Sequence, residues 1–430
     1  MDITQAGNIV STNTTLPTGW RRTDTVWMLG LYGTAIGAGV LFLPINAGIG
    51  GLLPLVVMTI IAFPMTFFAH RGLCRFVLSG KNPDGDITEV AGEHFGAGIG
   101  GLITLLYFFA VYPILLVYSV AITNTVDSFI VHQMQLPSPP RAVLSLFLIS
   151  GLMAVVRFGE QVIVKTMGIL VFPFIAVLML LAAYLTQYWS FAIFENFSVN
   201  YNDISGGTLV MLWLVIPVMV FSFNHSPIIS AFSVAKRHEY GVAAEKKCSR
   251  ILACSSAMMV ITVMFFVFSC VLSLSPSDLM EAKRQNISIL SYLANHFKTP
   301  VIAYIAPVIA FIAITKSFLG HYLGAREGFN ALVVKCLGRQ GKRIESDKLN
   351  RITALFMLIT SWIVATLNPS ILGMIETLGG PVIAVLLFLM PVYAIHKVPA
   401  MRQYAGYLSN IFVVVMGVVA ISAIFYGLIY

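Results

Sequence analysis

Along the chain, hydrophobic residues come in long runs broken by short polar stretches, and a helix needs roughly 20 apolar residues to cross a ~30 Å hydrocarbon core. Runs over 26–48, 51–78, 100–131, 140–157, 162–186, 208–234, 250–275, 301–335, 351–368, 370–395 and 405–429 predict eleven transmembrane helices, with the termini on opposite sides. The longest connections are 79–99, 187–207 and 276–300, which leaves no room for a soluble catalytic or signalling domain. The pattern reads as a tail over 1–25, a first half over 26–186, a second half over 208–395 and an extra helix over 405–429.

Two runs carry residues that work against a helix. The stretch "GTAIGAGVLFLP", 33–44, holds Gly33, Gly37 and Gly39 and then Pro44. In a helix interior a glycine costs about 1 kcal/mol against alanine and a proline about 3 kcal/mol. Unwound backbone at membrane depth is tolerated only where it lines a cavity or is buried in protein. The amides of Gly37, Ala38 and Gly39 would then head a half-helix that favours an anion, and the carbonyls near Gly33 and Thr34 would end one that favours a cation. An amino-acid zwitterion fits that pair. The stretch "FSFNHSPII", 221–229, interrupts the sixth run with Asn224, His225, Ser226 and Pro227, close behind Ser222. Ser226 reads as an N-cap with Pro227 at the first helical position of a new half-helix. If 26–186 and 208–395 are inverted repeats, the broken runs correspond, and matched breaks point to a transporter binding site. The same small residues also make a GxxxG-like packing face.

Composition agrees on the solvent: 58% of residues are hydrophobic and 10% charged, and the mean hydropathy is +0.88, which excludes a water-soluble globule. The net charge of +8 lies in clusters between apolar runs, a topology signal and not a nucleic-acid footprint. Of the 26 Lys and Arg, Arg141, Lys283, Arg284 and Lys298 fall on the side opposite the N-terminus, and Lys316 and Arg326 within a span. All the others lie on the N-terminal side, which predicts a cytoplasmic N-terminus and a periplasmic C-terminus. Residues 1–20 are polar and the first apolar run is too long for a cleavable leader, so the first span is expected to stay. The five cysteines form no CxxC and no His pair has metal-ligand spacing, so neither metal nor cofactor is expected. "HEYGV", 238–242, lacks the second histidine of HExxH, and "GAGIGG", 96–101, lacks the setting of a phosphate loop, so no enzyme is expected.

Ionisable residues at depth face the bundle interior by default. Lys316 lies midway along the eighth run, and on a helix it shares a small, polar stripe with Ser317, Gly320, His321 and Gly324. It reads as a coupling group or as a fixed charge held by helix-end carbonyls; His321 reads as a coupling group or a hydrogen-bonded core histidine. Arg326 and Glu327 near the cytoplasmic end, and Glu376 two turns into the tenth run, are gate candidates. Asp84, Asp86, Glu89, Glu93 and Asp127 read as solvated.

"WMLGLYGTAIGAGVLFLP", "NPDGDITEV", "VMVFSFNHSPIIS", "QNISILSYLANHF", "KSFLGHYLGAREG" and "NPSILGMIETLGGP" together resemble the serine-transporting branch of the hydroxy and aromatic amino acid permease family, from about residue 20 to the C-terminus. The resemblance implies an all-α integral membrane protein of the bacterial inner membrane. Its fold would be a LeuT-like 5+5 inverted repeat plus one helix, importing L-serine, or L-threonine, with protons. The partners implied are the amino acid, protons and membrane lipid. Carried over, the substrate would lie between Thr34, Gly37, Ala38 and Gly39 of the first span and Ser222, Asn224, His225 and Ser226 of the sixth. Tyr118 or Tyr112 of the third would help hold its carboxylate. Lys316 and Ser317 would occupy the part of the eighth span where sodium-coupled relatives bind their cation, so that an ammonium stands in for sodium. A sodium-coupled or exchange-type transporter, or a membrane amino-acid sensor, are the other readings.

Overall fold

The computed structural model describes residues 19–156, 160–190, 207–297, 299–339 and 344–429. Its elements are α1 (Arg22–Ala35), α2 (Ala38–Ile49), α3 (Leu52–Leu78), α4 (Ile87–His132), α5 (Arg141–Val156), α6 (Glu160–Leu185), α7 (Gly207–Ser222) and α8 (Ile229–Tyr240). Then follow α9 (Ala244–Ser273), α10 (Pro276–Arg284), α11 (Ile289–His296), α12 (Pro300–Arg339), α13 (Ser346–Leu367), α14 (Ile371–Lys397) and α15 (Leu408–Ile429). No strand occurs among the described residues.

Every predicted span falls on a helix. Among the described residues eight helical stretches are long and apolar enough to cross a membrane, and nine if the bent pair α1 and α2 counts as one. The stretch Leu209–Ser273 covers two predicted spans, and Arg141–Val156 is shorter and apolar. The centre is made by α4, whose residues from Ala110 to Thr125 are almost all buried, and by α12 packed along it. Helices α13 and α15 are the least covered of these spans, each only 28% buried over its apolar window.

Helix α4 begins well before its predicted span, at Ile87, because Asp86 caps it: the carboxylate accepts the amides of Thr88 (2.7 Å) and Glu89 (2.9 Å). Gly96, at φ +77°, then turns the chain into the span. The polar residues read as solvated are therefore partnered: Asp84 with His238 at 2.6 Å, Glu93 with the Lys81 amide at 2.8 Å, Glu89 with Asn82 at 2.7 Å and Asp127 with Ser138 at 2.6 Å. The connection 276–300 folds into α10 and α11, each capped by a serine, Ser275 or Ser288. On α10, hydrogen bonds from Arg284 and Gln285 hold Glu281 at about 2, so that pairing persists into acid.

Candidate functional site

The first span is broken where its sequence predicts. Helix α1 stops at Ala35, Ile36 and Gly37 are extended, and α2 leaves at 56° to α1. At φ −150° Gly37 holds a conformation open to any residue. What requires glycine is space. A methyl built on Gly37 would overlap Ser317 Oγ and lie 2.6 Å from Ser317 Cβ and 3.0 Å from the Tyr118 hydroxyl. One on Gly39 would lie 2.8 Å from Ser222 Cα and 2.7 Å from the Phe221 ring, and one on Gly33 would overlap Val171 of α6. The glycines thus let the break touch α4, α6, α7 and α12.

The sixth span is broken in turn. Helix α7 ends at Ser222, a 3-10 turn spans Ser226–Ile228, and α8 resumes at Ile229. Ser226 is not the side-chain cap its position before proline suggests; it lies inside the turn, and Asn224 Oδ1 accepts its amide at 3.0 Å. An Asx side chain two residues back offers the same bond without needing a helix start at Ser226.

Tyr118, rather than Tyr112, reaches the break. Its ring lies 5.1 Å from His321 and 6.4 Å from Phe221, whereas Tyr112 stacks on Phe108 and Phe356. Ser317 donates to Ile36 O at 3.2 Å, bonding α12 to the unwound strand. His321 Nδ1 bonds Ser317 O at 2.8 Å, and Thr34 returns its hydroxyl to Gly30 O at 2.9 Å. Arg326 and Glu327 sit half-buried more than a turn beyond His321, engaged with neighbours and apart from this cluster.

Four polar atoms in this region have no hydrogen-bond partner among the described residues: Ser222 Oγ, Asn224 Nδ2, His225 Nε2 and Lys316 Nζ. Their residues are at most 2% exposed. The Lys316 ammonium lies 5.1 Å from the ring of Phe174 on α6, with no carboxylate paired to it and no carbonyl bonded to it among the described residues. Each buried polar group left unpaired costs about 1–3 kcal/mol, so the three at the sixth-span break, with Lys316 on α12 next to the Ser317 that bonds the first break, mark a place for a small polar guest. Sequence reasoning missed one neighbour, His70 of α3, whose ring stacks on His225. A single histidine inside an apolar run carries no periodic signal.

Buried polar contacts join the first span to its neighbours on either side of the break. On one side Asn46 of α2 donates to Glu376 of α14 at 2.7 Å, with Lys283 of α10 3.9 Å from the same oxygen. Glu376 sits in a π-helical turn, Ile375–Gly379. On the other side buried Asp24 of α1 pairs with Lys236 of α8 (2.7 Å) and Lys247 of α9 (3.1 Å) and accepts the Tyr240 hydroxyl at 2.9 Å. Arg21 reaches Glu239 at 3.0 Å.

The sequence signature of the tryptophan/tyrosine permease family matches residues 26–429. The chain is 72% identical to the serine transporter SdaC of Escherichia coli (strain K12) over 429 residues, covering 100% of both chains. It is 48% identical to the threonine/serine transporter TdcC of Escherichia fergusonii, covering 95% of this chain and 96% of that one. Among solved structures it resembles a manganese transporter of Eremococcus coleocola (TM-score 0.61, 10% identity, 95% of this chain and 88% of that one). It also resembles MhsT in complex with L-phenylalanine (TM-score 0.54, 14% identity, 95% and 98%). The fold is therefore the LeuT-like one of a multi-pass membrane protein.

Proposed function

The chain belongs to the tryptophan/tyrosine permease family, and from that premise we propose that it carries L-serine with protons across the bacterial inner membrane by alternating access. The observation that carries this reading is the set of three unpartnered buried polar groups, Ser222 Oγ, Asn224 Nδ2 and His225 Nε2, at the sixth-span break, which the Gly39 contact sets against the broken first span. The serine carboxylate docks on the amides at the head of α2, Gly37 to Gly39, with Tyr118 beside it. The ammonium meets the carbonyls that end α1, near Gly33 and Thr34. The hydroxyl is read at the sixth-span break by Ser222, Asn224 and His225, with Ser226 at its rim. A hydroxyl-reading site rejects analogues without one, since its own polar groups are left unpaired.

Residues 26–186 and 208–395 form the inverted repeats, the N-terminus is cytoplasmic, and the C-terminus is periplasmic. Lys316, with Ser317 and His321, couples substrate to protons. The contacts Asn46–Glu376–Lys283 and Asp24–Lys236–Lys247 are the outer and inner closures, which open in turn. Identity to a serine transporter over the full chain supports serine as substrate, and the threonine/serine relative supports threonine as a second one.

Serine uptake into proteoliposomes under an imposed proton gradient or an imposed sodium gradient, one at a time, tests substrate and driver together. Accumulation with the proton gradient alone is expected. Accumulation driven only by sodium overturns the coupling, and absence of serine exchange under any condition overturns the substrate.

A further inference from the structure

His70 lies outside the residues assigned to serine above. It is 1% exposed on α3, and its ring lies flat against His225, with centroids 3.5 Å apart and planes 9° from parallel. Its Nδ1 is 2.8 Å from the carbonyl of Thr66, an acceptor, so Nδ1 carries the proton and Nε2 presents a lone pair. That lone pair accepts the backbone N–H of His225 at 3.1 Å. The break is what creates the need for this bond, because His225 lies past the end of α7 and its amide has lost the helical carbonyl an intact helix supplies. His225 in turn donates from Nδ1 to Phe223 O at 3.1 Å, which leaves its Nε2 an acceptor without a partner.

We propose that His70 is the positioning residue of the sixth-span break: by accepting the His225 amide and stacking on its imidazole, it aims His225 Nε2 at the hydroxyl of serine. The inference rests on the serine site argued above. Two contacts fix the acceptor: the amide bond sets where the His225 backbone sits, and the stack sets the plane in which its ring turns. A His70 carrying protons on both nitrogens would set N–H against N–H, so the arrangement requires the neutral ring.

Glutamine places its side-chain oxygen near the position of a histidine Nε2, asparagine reaches only as far as Nδ1, and phenylalanine keeps the ring but offers no acceptor. Binding of serine and of alanine to the full-length protein in lipid nanodiscs, by calorimetry, compares His70→Gln, His70→Asn and His70→Phe with the unsubstituted chain. Loss of one acceptor for a buried amide is expected to weaken serine about tenfold in His70→Asn and His70→Phe. The preference for serine over alanine should shrink with it, while His70→Gln, which keeps the acceptor and loses only the stack, should lose less of both than either of the other two variants. Equal losses of serine and alanine in all three variants would reduce His70 to packing, and unchanged serine binding in both His70→Asn and His70→Phe would overturn the proposal. If one of those two fails to fold, the other against His70→Gln still decides it. An unsubstituted chain that binds alanine as tightly as serine overturns the hydroxyl reading instead.

Discussion

A single methyl group is too large at Gly39. Its nearest neighbours there are the backbone of Ser222 and the ring of Phe221, neither of which yields without moving the end of α7. At Gly37 the obstacle is Ser317 Cβ, fixed by its own helix. Overpacking of this kind costs about 1–3 kcal/mol even when the structure adapts. Gly37→Ala and Gly39→Ala should therefore each weaken serine binding by about tenfold or more, and valine at either position should abolish it with insertion intact. Scintillation proximity binding on purified protein checks this, and wild-type affinity in Gly39→Val would defeat the docking of the carboxylate at the head of α2. The glycines were legible in the sequence as a break, but the reason for them was not. Sequence suggests backbone freedom, whereas Gly37 has an ordinary extended conformation and is needed for closeness to residues far away in the chain. Asn224 shows the same limit: its side chain was legible as polar and near the site, but not that one end is used to cap Ser226 while the other remains open.

At the scale of the elements, α1 is held to α8 and α9 by Asp24, which is fully buried and faces two ammonium groups and a phenol hydroxyl. Removing one partner of a buried charged network costs about 3–5 kcal/mol, because the remaining charges lose their compensation. Asp24→Asn should thus loosen the proposed closure and favour the state open on that side. The protein carries its own reporters: Cys74 and Cys248 are buried, and Cys74 lies 3.1 Å from Ser233 of α8. In a background with the exposed Cys254 and Cys336 replaced by serine, maleimide should label Cys74 and Cys248 several-fold faster in Asp24→Asn. An unchanged labelling rate would remove Asp24 from the closure. The helices themselves were legible from hydropathy because the bilayer imposes their length. This closure was not, since Asp24, Lys236 and Lys247 read along the chain as ordinary charges flanking spans. Their meeting depends on how α1, α8 and α9 pack.

At the scale of the whole molecule the question is where driving force enters, and the proposed coupling group, Lys316, is a buried cation with no hydrogen-bond partner among the described residues. Its ammonium is nearly inaccessible, lies over the Phe174 ring, and neighbours Ser317, which bonds the unwound first span at Ile36. A charge change at Lys316 is therefore one residue from Ser317, which bonds the unwound segment proposed to hold serine. Serine is a net-neutral zwitterion near neutral pH, so its entry with one proton moves one positive charge inward. Each 100 mV then supplies about 2.3 kcal/mol, enough for roughly 50-fold accumulation. Lys316→Ala removes the group without touching Gly37, Gly39 or the sixth-span break. In proteoliposomes it should abolish accumulation driven by a proton gradient or an inside-negative potential, and leave serine counterflow within a few-fold of the unsubstituted chain. Proton-driven accumulation that persists in Lys316→Ala would transfer the coupling to His225 or His321, two buried histidines beside the break. Loss of accumulation and counterflow together would instead make Lys316 part of the binding site itself.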